Sequence, residues 1–401
     1  MSLDPKQILF VAGDFDDQGG KPSSVMGRLF LGLLDQMGEH VDLVYRNGGH
    51  IDEIEDLVKA CSRKKFVFWF PNIDNKHSKI AKRIKQINPL TMLVTSKRNF
   101  DEYDFQDVVA HGLRYKSNLV LEISKKFGLR GGIAHRALFV GRVLDPLGNV
   151  FCDFAEDFFQ VGQALAKRIA KLSTFTRMGS FHINKQVEVP DETDFFRATR
   201  EIANVFDELI PRPSYPERFL GNASFRCQKG FPSFRHGDLV FMSKRNIDKQ
   251  YIGQDGFVAT QLSVGMSIEM KVGRKVLYYG EDKPSVDSPI QLSLYEKLPK
   301  IHYMIHGHVY IEGAPFTKDN TPCGALQEID EIMNALEEHY DGEQTDDFCL
   351  NLKGHGCLIG RSKKGLRTLE DYKFVSRPIP ELMEDYKRIV TREVDKLLKK
   401  L

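Results

Sequence analysis

Apolar positions in the first half of the chain fall into short unbroken runs separated by helical patterns. Residues 7–12 (QILFVA), 41–45, 65–70 (KFVFWF, stopped by Pro71) and 91–95 read as strands, and 118–123 as one more. Runs of this kind, without alternation, fit strands buried on both faces. Between them the 3.6-residue period predicts helices over 23–37, 52–62 and 76–86. Strand and helix in alternation imply a parallel sheet covered on both sides.

The pattern then changes. Residues 134–143 and 150–153 flank the turn-rich Asp145-Pro146-Leu147-Gly148-Asn149 and read as a hairpin added to the sheet. A helix over 154–172 packs back. Residues 174–191 carry few periodic signals, so a linker is placed at 179–193. This gives a Rossmann-like, doubly wound α/β domain over 1–178 and a second α/β domain over 194–401. The second domain opens with an amphipathic helix over 193–209, broken by Pro211, Pro213 and Pro216. Short strands and two more helices, near 288–298 and 326–339, follow.

Composition narrows the class. At 401 residues, the chain is long enough for two or three domains, each with its own core. Lys plus Arg number 57 against 55 Asp plus Glu, a balance of +2, which gives no electrostatic case for a nucleic-acid partner. No run of 18 uncharged apolar residues occurs, so no membrane partner is expected. The six cysteines form no C-x-x-C pair, and the N-terminal stretch lacks a basic-then-apolar pattern. A reducing, cytoplasmic setting is the expectation.

Candidate chemistry concentrates in the second half. In Ile301-His302-Tyr303-Met304-Ile305-His306-Gly307-His308, residues two apart share one face of a strand. His306 and His308 would then lie side by side, either sharing a metal ion or making ordinary hydrogen bonds. His302 and Met304 have the same parity. His355 sits between Gly354 and Gly356 at a strand break, a place for close backbone approach. Asp287, two residues before Pro289, reads either as a helix cap or as a site carboxylate.

In order along the chain, four segments resemble the class II aldolase/adducin family. They are Gly221-Asn222-Ala223-Ser224-Phe225-Arg226, then Pro284-Ser285-Val286-Asp287, then His306-Gly307-His308, then Gly354-His355-Gly356. The resemblance covers roughly residues 194 to 375 and implies a class II aldolase-like α/β/α domain. It implies that His306, His308 and His355 bind a divalent metal, with Zn2+ favoured. Asp287 would be a further ligand or the acid/base group, and Gly221, Asn222 and Ser285 would bind substrate. The implied activity is aldol cleavage or epimerisation of a small sugar or sugar phosphate, in a homo-oligomer, with a tetramer favoured. A non-catalytic scaffold, as adducin is, is the alternative. The aspartate at 287 and the run Thr321-Pro322-Cys323 are similar to the L-ribulose-5-phosphate 4-epimerase branch. Three positions depart from the family. Val286 stands where a second serine is usual and Leu220 where serine or glycine is usual, and Phe241-Met242-Ser243-Lys244-Arg245-Asn246 occupies the place of a Thr-Pro-Ser-Gly segment. Lys244 and Arg245 are candidate replacement charges for substrate phosphate.

The first half carries one candidate loop. Gly19 and Gly20, ahead of Ser23 and a helix, could expose backbone N–H groups to an anion such as a sugar nucleotide. Ser23 serves equally as a helix cap. Arg142, Asp145, Arg168 and Arg177 read as surface charges, and His111 as a hydrogen-bonded histidine.

Overall fold

The computed structural model describes residues 8–12, 24–37, 41–45, 65–70, 78–87, 91–99, 105–127, 137–209, 221–227, 238–263, 274–366 and 372–376. The chain divides into two compact units, with the main boundary between Thr174 and Phe175. Both are mixed α/β. No helix among the described residues is long and apolar enough to cross a membrane.

The first unit holds a seven-stranded sheet in the order β2-β1-β3-β4-β5-β6-β7. The strands are β1 (Ile8–Ala12), β2 (Val41–Tyr45), β3 (Lys65–Phe70), β4 (Met92–Asn99), β5 (Leu119–Phe127), β6 (Ala137–Leu144) and β7 (Val150–Ala155). β1 to β5 are parallel, in a doubly wound order. β6 and β7 add an antiparallel hairpin, so the sheet is mixed rather than wholly parallel. Alternation along β5 assigns its faces. Leu119, Leu121 and Ile123 enter a core with helices α1 (Ser24–Met37) and α4 (Phe158–Thr174). Val120 points the other way, to Val108 of helix α3 (Phe105–Arg114). Helix α2 (Ser78–Ile87) buries Ile84. Gly19, Gly20, Ser23 and the helix expected over 52–62 lie outside the described residues.

α1 and α4 touch backbone to backbone. A Cβ on Gly32 would lie 1.9 Å from the Phe159 carbonyl oxygen, and one on Gly162 2.0 Å from that of Leu29. Only hydrogen fits there.

Three residues expected at the surface are buried. Arg142 is 3% exposed and pairs with Glu122, its cross-strand partner, at 2.5 Å. Asp145 accepts from the backbone N–H groups of Leu147 and Asn149, which closes the hairpin turn. Arg168 stacks on the Phe151 ring at 4.0 Å. A composition-based reading misses such groups because burial depends on partners that lie elsewhere in the chain. The Nε2 of His111 is buried and makes no hydrogen bond among the described residues.

The second unit is built on an eight-stranded sheet in the order β15-β16-β13-β9-β10-β11-β12-β8. These are β8 (Ser180–Ile183), β9 (Asn222–Cys227), β10 (Leu239–Ser243), β11 (Phe257–Leu262), β12 (Val276–Tyr279), β13 (Tyr303–Gly307), β15 (Asp347–Leu352) and β16 (Gly356–Arg361). All pairs are antiparallel except β12 with β8. β14 (Tyr310–Ile311) pairs with β17 (Phe374–Val375) in a separate ribbon. Ser180–Ile183, expected within a linker, is thus an edge strand.

Side-chain parity splits the core into two layers. Ala223, Phe225, Phe241, Tyr303, Ile305 and Ile359 face helix α5 (Thr193–Leu209), which inserts Phe195, Phe196, Ile202 and Phe206. Each such side chain contributes about 1.5–3 kcal/mol of burial. Val240, Met242, Met304, Leu350 and Leu358 face helices α6 (Ser288–Lys297) and α7 (Gln327–His339). The candidate site lies at one end of this second layer.

Two outcomes test the first unit. Gly162→Ala should destabilise it by about 1–3 kcal/mol in urea denaturation, although alanine is the better helix former, because the added methyl meets backbone. Burial also lowers the pKa of His111 from 6.5 to about 4. An unfolded chain takes up this proton near pH 6.5 and the folded one only near pH 4, so stability falls as pH is lowered across that window. The expected loss is up to about 3 kcal/mol, and His111→Gln should remove that part of the pH dependence.

Candidate metal centre

The site is assembled by β9. Residues 222, 224 and 226 alternate onto one face of this strand, and each is bonded to α6 or to the residues that flank it. Asn222 donates to Asp287 Oδ2 at 3.0 Å, and its carbonyl oxygen accepts from Gln291. Ser224 donates to Gln291 at 2.6 Å and meets the Tyr295 hydroxyl at 3.0 Å. Arg226 donates to the carbonyl oxygens of Tyr295, Leu298 and Pro299 at the helix C-terminus. Four strand residues span about 13 Å. Eight helical residues, the separation of Asp287 from Tyr295, span about 12 Å. The Gly-Asn-x-Ser-x-Arg spacing is therefore a ruler that lays α6 along β9.

Asp287 occupies the cap position of α6 but makes no side-chain cap bond. Its two oxygens turn instead to Asn222 and to the Cys323 thiol, which donates to Oδ1 at 3.0 Å. Burial pushes the Asp287 pKa up. His355, His306, the Cys323 thiol and Arg177 outweigh it, so the carboxyl stays below its usual range. Burial, then the Asp287 carboxylate, push the Cys323 thiol up to about 11.

β13 ends at Gly307, so His306 is on the strand and His308 just beyond it, not one strand face as expected. The two rings still meet at 5.2 Å between centroids. His355 sits in the turn between β15 and β16, with ring centroids 4.5 Å from His306 and 5.3 Å from His308. Gly356, at φ +149, makes this possible, since a Cβ there would lie 1.9 Å from the Gly307 carbonyl oxygen. One ring nitrogen from each histidine lies within 4.8 Å of the others. Tetrahedral binding at about 2.0–2.1 Å sets nitrogens about 3.4 Å apart, a distance that modest ring rotations reach.

The ring orientations suit an ion. His306 Nδ1 lies 2.8 Å from the Cys357 carbonyl oxygen, to which it can only donate, leaving its lone pair on Nε2. His355 Nδ1 lies 2.7 Å from Glu328 Oε1. Its Nε2 is buried without a hydrogen bond of normal geometry, though the Cys323 sulfur is close enough to favour the protonated ring. A carboxylate behind a ligating imidazole is the usual outer support of a metal site.

The other predicted residues are placed as follows. Gly221 has φ +77 and lies against the His306 carbonyl oxygen, where a Cβ would come within 2.4 Å. Ser285 accepts from the Asp287 N–H through its hydroxyl at 3.4 Å. His302 lies apart from the cluster, 3.6 Å from Glu192, and Met304 packs in the core. Lys244 pairs with Asp282 at 2.8 Å, and Arg245 donates to the Pro284 carbonyl oxygen, so both hold the loop ahead of Asp287. Arg177 donates to the Cys323 carbonyl oxygen at 3.2 Å.

Sequence reasoning missed Glu328, Cys323 and Lys249. Glu328 reads as an ordinary first-turn acid of α7, which suits the helix dipole. Lys249 sits in a polar stretch and lines a small cavity with Asn222, Phe206 and His306. Burial lowers its pKa to about 8.

No family model matches the chain, and no curated protein matches it. Among solved structures it is similar to YgbL of Klebsiella pneumoniae, a candidate aldolase/epimerase/decarboxylase, at 13% identity and a TM-score of 0.25. That likeness covers 49% of this chain and 90% of the other, and it carries no residue across.

If Glu328 holds His355 for an ion, Glu328→Gln should lower Zn2+ affinity about 10–100-fold in competition with a chelator while the circular dichroism spectrum is unchanged. Unaltered affinity would make Glu328 a packing residue only.

Proposed function

We propose that the second unit is a divalent-metal-dependent enzyme of the aldolase or epimerase type, acting on a small sugar or sugar phosphate. The observation that carries this reading is the convergence of three imidazoles beside a buried carboxylate that is not used as a helix cap. Such an ion, Zn2+ in the first instance, would supply a Lewis acid for the negative charge that develops on substrate oxygen when a carbon–carbon or carbon–hydrogen bond next to a carbonyl is broken. His306, His308 and His355 would hold it, leaving positions open for substrate.

The remaining work falls to the chain's own groups. Asp287, ionised and held by Asn222 at Oδ2, is the proton carrier. The Asn222–Gln291–Ser224–Tyr295 network fixes its position from behind. The reading extends to a homo-oligomer, in which a neighbouring copy closes the site.

The test is metal content together with exchange. Metal-loaded protein in D2O should exchange the C–H next to the carbonyl of ketose phosphates, followed by proton NMR. Asp287→Asn should slow that exchange by about 10²–10⁴ with metal content unchanged. Protein that takes up no ion and exchanges nothing is a scaffold, and the reading fails.

A further inference from the structure

Asp287, Cys323 and His355 bring a carboxylate oxygen, a thiol sulfur and a ring nitrogen within 4.8 Å of one another. This donor set differs from the three-histidine set and shares only His355 with it. His355 Nδ1 is committed to Glu328, so one lone pair, on Nε2, serves both sets. An imidazole nitrogen binds one ion at a time. The two sets are therefore alternative positions for a single ion rather than a two-ion site.

We propose that Asp287, Cys323 and His355 form a second metal position, alternating with the three-histidine position and selecting soft divalent ions through the Cys323 thiolate. The proposal rests on the reading of the histidine cluster as a metal centre. Cys323 is held in place from several sides. Gly324, at φ +76, turns the chain directly after it. Arg177 binds its carbonyl oxygen, and the Leu326 N–H donates to the Thr176 carbonyl oxygen at 2.9 Å. The thiol already points at Asp287 Oδ1. His355 Nε2, on a residue 1% exposed, is the buried nitrogen of the set that makes no normal hydrogen bond. On binding, the S–H bond breaks, a sulfur–metal bond forms, and the proton leaves to solvent, one per ion bound. A thiolate favours Zn2+ over Mg2+ or Mn2+, which oxygen and imidazole donors alone separate less sharply.

Co2+ titration of the full chain reads the donor type directly. Wild type should take up one Co2+, showing d–d bands together with a near-ultraviolet charge-transfer band from sulfur. Cys323→Ser should lose the sulfur band and keep d–d absorption from the three histidines. His306→Gln should keep the sulfur band, because its position does not use that residue. Co2+ bound without a sulfur band in wild type and in His306→Gln overturns the proposal while leaving the histidine centre intact. A sulfur band that survives in Cys323→Ser overturns it as well, since another cysteine is then the ligand. Two ions per chain overturn the alternation. No Co2+ uptake at all by wild type removes the metal reading itself.

Discussion

The second unit depends on a buried polar seam between β9 and α6. Helix α6 is buried on most sides, with Ser288, Pro289, Ile290, Gln291, Leu292, Leu294 and Tyr295 all inside. A helix without a distinct apolar stripe has no hydrophobic reason to prefer one rotation about its axis. Directional bonds supply that preference instead. Asn222, Ser224 and Arg226 engage the start, middle and end of the helix at spacings that only one register satisfies. Leaving any of these groups without a partner would cost about 1–3 kcal/mol, so the seam penalises every other alignment. Because Asp287 immediately precedes α6, fixing the helix fixes the carboxylate.

The same seam couples support to chemistry. Asn222 is bonded on one side to Gln291, part of the scaffold, and on the other to Asp287, part of the site. Its amide thus orients the carboxylate and leaves Oδ1 for the Cys323 thiol. On the far side of the histidines, Glu328 does for His355 what Asn222 does for Asp287. Both carboxylates, Asp287 and Glu328, sit at helix ends, the beginnings of α6 and α7, where partial positive charge stabilises them.

Much of this was legible in the sequence, for a physical reason. Long periodic segments such as residues 193–209, and buried parallel strands such as 118–123, carry their own signature because each buries most of its apolar surface. Helix α3 did not, because its ten residues offer the core little beyond Val108, Ala110 and His111. β8 did not either, since three of its four residues are exposed at the sheet edge. Spacing brought forward His306 and His308, and the family resemblance added Asp287. Spacing could not reveal Glu328 or Cys323, whose roles arise only when the turn after β15 and the loop before α7 fold against each other. It also left Gly-Asn-x-Ser-x-Arg unexplained, because a ruler is visible only beside the helix it measures.

Charge balance gives the arrangement its last constraint. Asp287 and Glu328 are both carboxyl groups at most 7% exposed; the neighbouring imidazoles hold Asp287 below its usual range, whereas burial pushes Glu328 above its own despite His355. Two buried negative charges cost several kcal/mol each unless they are matched. Three neutral imidazoles match neither. Burial alone would lower the pKa of His355, yet Glu328 and Cys323 raise it well above its ordinary value, so the site itself calls for positive charge at that nitrogen. A proton on Nε2 supplies one unit. A divalent ion at the same place supplies two. The donors and the charge they surround are therefore consistent with each other, and both are set by where β9 places α6.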